Sequence, residues 1–332
     1  MARSRAPTFA FAAVLFAYIF ILSGCAGDLR QPAASLANAG VSATTALSTD
    51  HRSKAGAIRS LDAIEAFSRT YEYCASADVT CRARPSRASE ERAGIAAAIG
   101  LRANAVEALG NAYKALEAEA AYDAKADVEG ATSGAIAAIN SYAAAIAAVP
   151  GTKAAPLIGQ PIGRLIGYGA GLLAARAQNR RIVHDSRAIG AATLKLRDAL
   201  DHEAYVFDDL VGYIGELQTA ATLDMIESGL TPPDAGLKPL LDDLGLPPSK
   251  NAESLISASP RLKTALAAAL TARSRARVAD TQAAYRAAIG ALNELLKAHA
   301  DIEAKRPPSL AGLNARIAEL NALLAPLKET HP

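Results

Sequence analysis

The sequence predicts an all-α protein: an elongated antiparallel bundle of three long helices with additional shorter ones. Three observations carry this. Hydrophobic residues make up 51% of the 332-residue chain while aromatics are 5% and Trp is absent. Alanine therefore supplies much of the apolar content, which suits helices with closely packed backbones better than β-branched strands. Apolar residues recur at spacings of three and four over long stretches, and no segment alternates convincingly with period two.

Taken in chain order, residues 25–52 contain Gly27, Pro32 and Gly40 in a Ser/Thr/Ala-rich stretch without heptad order, and read as a flexible tether. The helical domain spans 53–330. A first helix runs from about Ser53 to Tyr73, with Ile64, Phe67, Tyr71 and Cys74 on one face. Ser89 then caps a long helix whose seam is Ile95, Ile99, Val106, Leu109, Tyr113 and Leu116. Ile136, Ile139, Ala143 and Ile146 resume the rhythm, giving one helix of up to about sixty residues that bends near Gly130 and Gly134 and ends at Pro150-Gly151.

A second long helix begins near Pro161 and continues to about Ser228, with Leu196, Leu200, Phe207, Leu210, Ile214 and Leu217 as its later seam. Gly229 and Pro232-Pro233 stop it. Short helices follow at 237–244 and 250–258. Ser259-Pro260 opens the third long helix, which Pro307-Pro308 breaks after about Lys305. Ser309 caps a last helix carrying Leu310, Leu313, Ile317, Leu320, Leu324 and Leu327.

Charge predicts the pairing. Arg176, Arg180, Arg181, Arg187, Lys195 and Arg197 crowd the first half of the second long helix, and eight carboxylates from Asp198 to Glu227 fill the rest. This polarity opposes the helix dipole, so it does not serve the isolated helix. Antiparallel hairpins turning at about 154 and 243 make sense of it. They set Glu117, Glu119, Asp123, Asp127 and Glu129 beside the basic half, Arg102 near Asp208, Arg92 near Glu216, Arg273, Arg275 and Arg277 opposite Asp208, Asp209 and Glu216, and Asp301 and Glu303 at the Arg181–Arg187 end. Each exposed pair contributes at most about 1 kcal/mol, so such patterning selects register more than stability.

Under this alignment residues 131–177 project beyond the third helix as an apolar tip whose only charges are Lys153, Arg164 and Arg176. Gly159, Gly163, Gly167 and Gly171 form a side-chain-free groove there, where another backbone can approach. Tight packing onto residues 135–149, contact with another protein chain or a second copy, and membrane insertion are the competing readings of it. A long helix, an apolar hairpin and a returning long helix resemble the layout of α-helical pore-forming toxins, which implies a membrane-active alternative.

The N-terminus gives an address. Arg3 and Arg5 precede an apolar run from Phe9 to Leu22, too short to span a bilayer stably, and Leu22-Ser23-Gly24-Cys25 follows. Residues 1–24 resemble the bacterial lipoprotein signal. That resemblance implies that Cys25 becomes the lipid-modified first residue, and that Ala26, not an aspartate, directs the protein to the outer membrane, facing the periplasm. Cys74 and Cys81 remain for each other as a structural disulfide in an oxidising compartment. On a continuous helix they would lie about 10 Å apart, so the chain must turn at Ser76-Ala77-Asp78 for them to bond.

Chemistry is sparse. The whole chain is +2, from 35 basic and 33 acidic residues, and without Arg3 and Arg5 it is 33 against 33, a balance that makes an exported protein a poor candidate for nucleic-acid binding. His184 and His202 share a helix face but lie about 27 Å apart along it, too far for one metal. His51, His299 and His331 sit in no ligand motif. Asp208-Asp209 and Asp242-Asp243 lack a calcium-loop framework. No nucleophile elbow, phosphate loop or dinucleotide pattern occurs. The expectation is a non-catalytic scaffold, spacer or partner-binding module, with no cofactor and no metal. It is joined to the membrane by its lipid and to an envelope protein or a second copy by its tip. A ligand-binding or hydrolytic site between helices is the alternative that motif reading cannot detect.

Overall fold

The computed structural model describes residues 28–73, 87–121, 127–148, 174–227 and 259–328. Six helices make up these residues: α1 (Arg30–Tyr73), α2 (Arg87–Ala120), α3 (Val128–Ala147), α4 (Ala174–Glu227), α5 (Pro260–Glu303) and α6 (Ala311–Lys328). The fold is all-α, with no strand among the described residues. Cys25, Cys74, Cys81, the glycines 159, 163, 167 and 171, and the short helices expected at 237–244 and 250–258 lie outside them.

Four long helices form the body, not three. Residues 30–52, expected to be a flexible tether, belong to α1, and Leu29, Ala33, Leu36, Ala37, Ala43 and Leu47 are buried in the main core. The seam mixes three leucines with alanines in a stretch rich in Ser, Thr and Ala, so it shows little hydropathy contrast in the sequence. α1 runs antiparallel to α2, with Gly40 against the Tyr113 ring, Gly110 against Thr44, and an Arg52–Glu107 ion pair. These are mutual close approaches. A β-carbon on Gly40 would overlap the Tyr113 ring, and one on Gly110 would lie 2.8 Å from Thr44 Oγ1.

The expected sixty-residue helix is two helices. α2 ends at Ala120, and Asp127 caps α3 by accepting a 2.7 Å hydrogen bond from the Gly130 amide. α3 turns back along α2 and α4, burying Val128, Thr132, Ala135, Ile139, Tyr142, Ala143 and Ile146. Residues 131–148 therefore do not project as a tip. Their apolar face is used inside the molecule, because a reversed α3 buries it where an extended one would leave it in water.

The long-range pairing follows the charge pattern in part, while Asp301 pairs with Arg306 and Asp127 serves as a helix cap. Arg181 Nε lies 3.0 Å from Glu119, and Arg187 Nε 3.0 Å from Glu303. Gly215 approaches Ser274 and Val278, which gives α4 and α5 the expected antiparallel register. Arg102, however, pairs with Glu203 and not Asp208, and Asp208 instead lies 3.8 Å from Arg286.

α5 starts as the sequence predicts, with Ser259 accepting from the Leu262 amide and Pro260 in the first turn. It ends two residues early, at Glu303. Lys305 takes φ 58°, its amide donates to Ile302 O at 2.9 Å, and the Arg306 amide donates to Asp301 O at 2.8 Å. This is a Schellman stop with lysine where glycine is usual. α6 returns along α5, with Leu313, Leu320 and Leu324 in the core and Arg316 beside Gly290.

Space around the glycines makes opposite predictions for one chemical change. Gly40→Ala should lower unfolding free energy by about 1–3 kcal/mol, because the Tyr113 ring must move. Gly134→Ala, with open space at its β-position, should raise it by about 0.5–1 kcal/mol through helix propensity. Lys305→Gly should also stabilise, by about 1 kcal/mol, through relief of the left-handed backbone. Urea denaturation checks all three; equal effects of the two alanine changes would contradict the packing.

Candidate functional site

Two polar centres lie inside the apolar body, each at a gap in a heptad seam. In α2 the seam steps from Ile99 to Val106, and the position between them, three residues after one and four before the other, is Arg102. In α4 it steps from Leu200 to Phe207, and the skipped position is Glu203. Helical geometry points both side chains inward. They meet as an ion pair between Arg102 Nη1 and Glu203 Oε1, with side chains 0% and 4% exposed. The Tyr285 hydroxyl, from α5, donates to Glu203 Oε1 at 2.8 Å and to Leu200 O at 2.6 Å as a shared bond. Phe207 stacks on Tyr285 with ring centroids 4.3 Å apart, and the Arg102 guanidinium sits over both rings at 5.2 and 5.6 Å.

Burial holds the Tyr285 phenol well above the usual range, with the Tyr142 and carboxylate charges adding and Arg102 opposing. Burial likewise raises the Tyr142 phenol, against the pull of Arg102. Arg102 Nε and Nη2 and the Tyr142 hydroxyl have no hydrogen-bond partner. The centre therefore joins α2, α3, α4 and α5 but is not fully satisfied. Breaking its ion pair strands a buried charge.

The second centre is His299 of α5, 2% exposed. Its Nδ1 lies 2.8 Å from Ser186 Oγ and its Nε2 2.9 Å from the Tyr113 hydroxyl, which is 3.0 Å from Thr193 Oγ1. One direction of donation satisfies every member. Thr193 spends its proton on Ile189 O at 2.9 Å, so Tyr113 donates to Thr193 and accepts from His299 Nε2–H. Nδ1 then accepts from Ser186. That assigns a neutral imidazole protonated on Nε2. Burial alone lowers the His299 pKa to about 3, and burial raises the Tyr113 phenol. Gly190 makes room, since a β-carbon there would sit 3.2 Å from His299 Cβ.

Hydroxyl, imidazole and hydroxyl stand in the order of a nucleophile beside its base, yet Ser186 and Tyr113 are 0% exposed. A substrate reaches Ser186 only if the helices part. What the arrangement does as it stands is tie α2, α4 and α5 together.

A third, partly exposed group lies at the α2 and α4 ends. Burial raises both Glu119 and Asp185 against the pull of Arg181, and His184 Nδ1 lies 3.2 Å from Asp185. Gln178 Nε2 donates to Glu119 O at 2.8 Å. Among the described residues no three or more His, Cys, Asp or Glu are placed to hold a metal. His184 and His202 stand apart as their spacing requires, and His202 Nδ1 contacts Asp198 O at 2.7 Å. Asp208 and Asp209 sit on the outward side of α4, with Asp208 facing Arg286. Sequence reasoning gave Arg102 only a surface pairing and left Glu203 and His299 without a site. The skipped heptad positions, filled by opposite charges on two helices, were the available signal.

No family model, no curated protein and no solved structure matches this chain.

A mutant cycle on the ion pair separates stranded charge from lost attraction. Arg102→Met or Glu203→Met alone should cost about 3–5 kcal/mol of stability. The double replacement should cost clearly less than either single change, as read by chemical denaturation with circular dichroism. Additive losses would contradict the burial argument.

Proposed function

We propose that this is a non-catalytic, lipid-anchored protein of the bacterial envelope, held at the outer membrane on its periplasmic side as a scaffold, spacer or partner-binding module. The observation that carries the reading is Cys25, placed at the end of Leu22-Ser23-Gly24-Cys25 behind a short apolar run and two arginines. The fold supports it in one respect. Leu29, the first buried core residue, follows Cys25 by four residues, about 14 Å at full extension. A lipid on Cys25 would thus hold one end of the bundle close to the bilayer, with no intervening linker of consequence. From Asn179, which accepts from the Leu29 amide, α4 would carry the far end at Glu227 about 70 Å away. Among the described residues no helix is long and apolar enough to cross a membrane.

The partner-binding role remains with an envelope protein or a second copy. The membrane-active alternative loses half of its inserting segment, because α3 spends its apolar face on α2 and α4.

Radiolabelled palmitate should enter the wild-type protein and float it with the outer-membrane fraction. Cys25→Ala should abolish incorporation and release an otherwise folded protein. Incorporation that survives the substitution, or membrane association independent of it, would overturn the proposal.

A further inference from the structure

We infer that His299 is an acid-operated latch, closed while the imidazole is neutral and opened by its protonation, that joins α5 to the α2–α4 pair. The geometry defines the closed state. Ser186, His299, Tyr113 and Thr193 form one chain of donors and acceptors across three helices, each bond 2.8–3.0 Å long, ending on Ile189 O. Each of the four is buried, and no water or charge is needed to complete the set. A second proton, on Nδ1, would turn the Ser186 hydroxyl from donor to acceptor and place a positive charge in a buried set that holds no counter-charge.

Among the described residues, the groups bonded to the ring or beneath it are uncharged in the closed state. From α2 comes Tyr113, which burial keeps protonated. From α4 come Ser186 and Thr193, with Gly190 beneath the ring. Among the described residues no carboxylate is bonded to His299, and burial is the sole cause of its lowered pKa. The charged groups near Ser186 in sequence are engaged elsewhere, Asp185 with His184 and Arg187 with Glu303.

The sign follows from the direction. A histidine with a depressed folded pKa favours the closed state fully above about pH 7, and that preference fades as pH falls from the open-state value near 6.5 toward 3. Each unit in that window shifts the closed-to-open ratio about tenfold. Glu119 and Asp185, whose carboxyls are raised by burial, act in the opposite sense. Their protonation favours the closed state, so it offsets part of the histidine effect at the acid end of the range. His51 of α1 is a second buried histidine, 1% exposed, and the variant below separates the two.

The test is amide exchange of the full chain at pH 7.5, 6.5, 5.5 and 4.5, corrected for intrinsic rates. Peptides covering 109–116, 186–196 and 292–302 should lose about tenfold in protection per unit below 6.5, well beyond any loss in 208–217. In His299→Gln that excess slope should vanish. If this variant does not fold, imidazole nitrogen chemical shifts of the wild-type protein serve instead. They should show the Nε2–H neutral tautomer persisting to pH 5 in the closed protein. A ring that titrates near 6.5 without loss of protection, or an excess slope unchanged in His299→Gln, would overturn the latch.

Discussion

An alanine-rich bundle can slide, and the constraint on which this structure depends is the set of buried polar contacts that stop it. Where seam after seam presents alanine, a shift of one heptad replaces small residues by small residues and changes the buried area little. Arg102 has one acceptable position against α4, opposite Glu203, since any other leaves a guanidinium in an apolar core. His299 has one acceptable position between Ser186 and Tyr113. The two centres lie eleven residues apart on α2, about 16 Å, and together fix both translation and rotation of α2, α4 and α5.

Small residues supply the complementary condition. Gly40, Gly110 and Gly190 occur where a ring or side chain of the neighbouring helix comes closest. Tyr113 belongs to both conditions, its ring face resting on Gly40 and its hydroxyl completing the histidine chain. The result is a body whose helices approach closely enough for short side chains to bond across them. A pure leucine core would be wider and would not bring Ser186 and Thr193 within reach.

Part of the long-range order was legible in the sequence because it was written in charge. The basic first half of α4 lies beside Glu119 at one edge and Glu303 at the other. Strong seams were legible too, since Val106, Leu109, Tyr113 and Leu116 are all 0% exposed. Two parts were not. α1 hid because Ala33, Gly40 and Ala43 carry a heptad without hydropathy contrast. The reversal before α3 hid because apolar rhythm continues across it, and the break at Asp127 rests on one capping side chain. The polar centres hid for a related reason: a charged residue at a seam position reads as an interruption until the matching interruption on another helix is noticed.

The register claim is open to a direct distance measurement. Spin labels at the exposed positions 104 and 194 on α2 and α4, with the native cysteines replaced by serine, report translation of one helix past the other. With Arg102, Glu203 and His299 intact the account predicts one narrow distance peak. With Arg102→Met, Glu203→Met and His299→Leu combined, it predicts a helical protein whose peak broadens or splits as helices shift by one heptad, about 10 Å. A single unchanged narrow peak in that triple variant would mean that apolar packing alone sets the register, and would contradict the account.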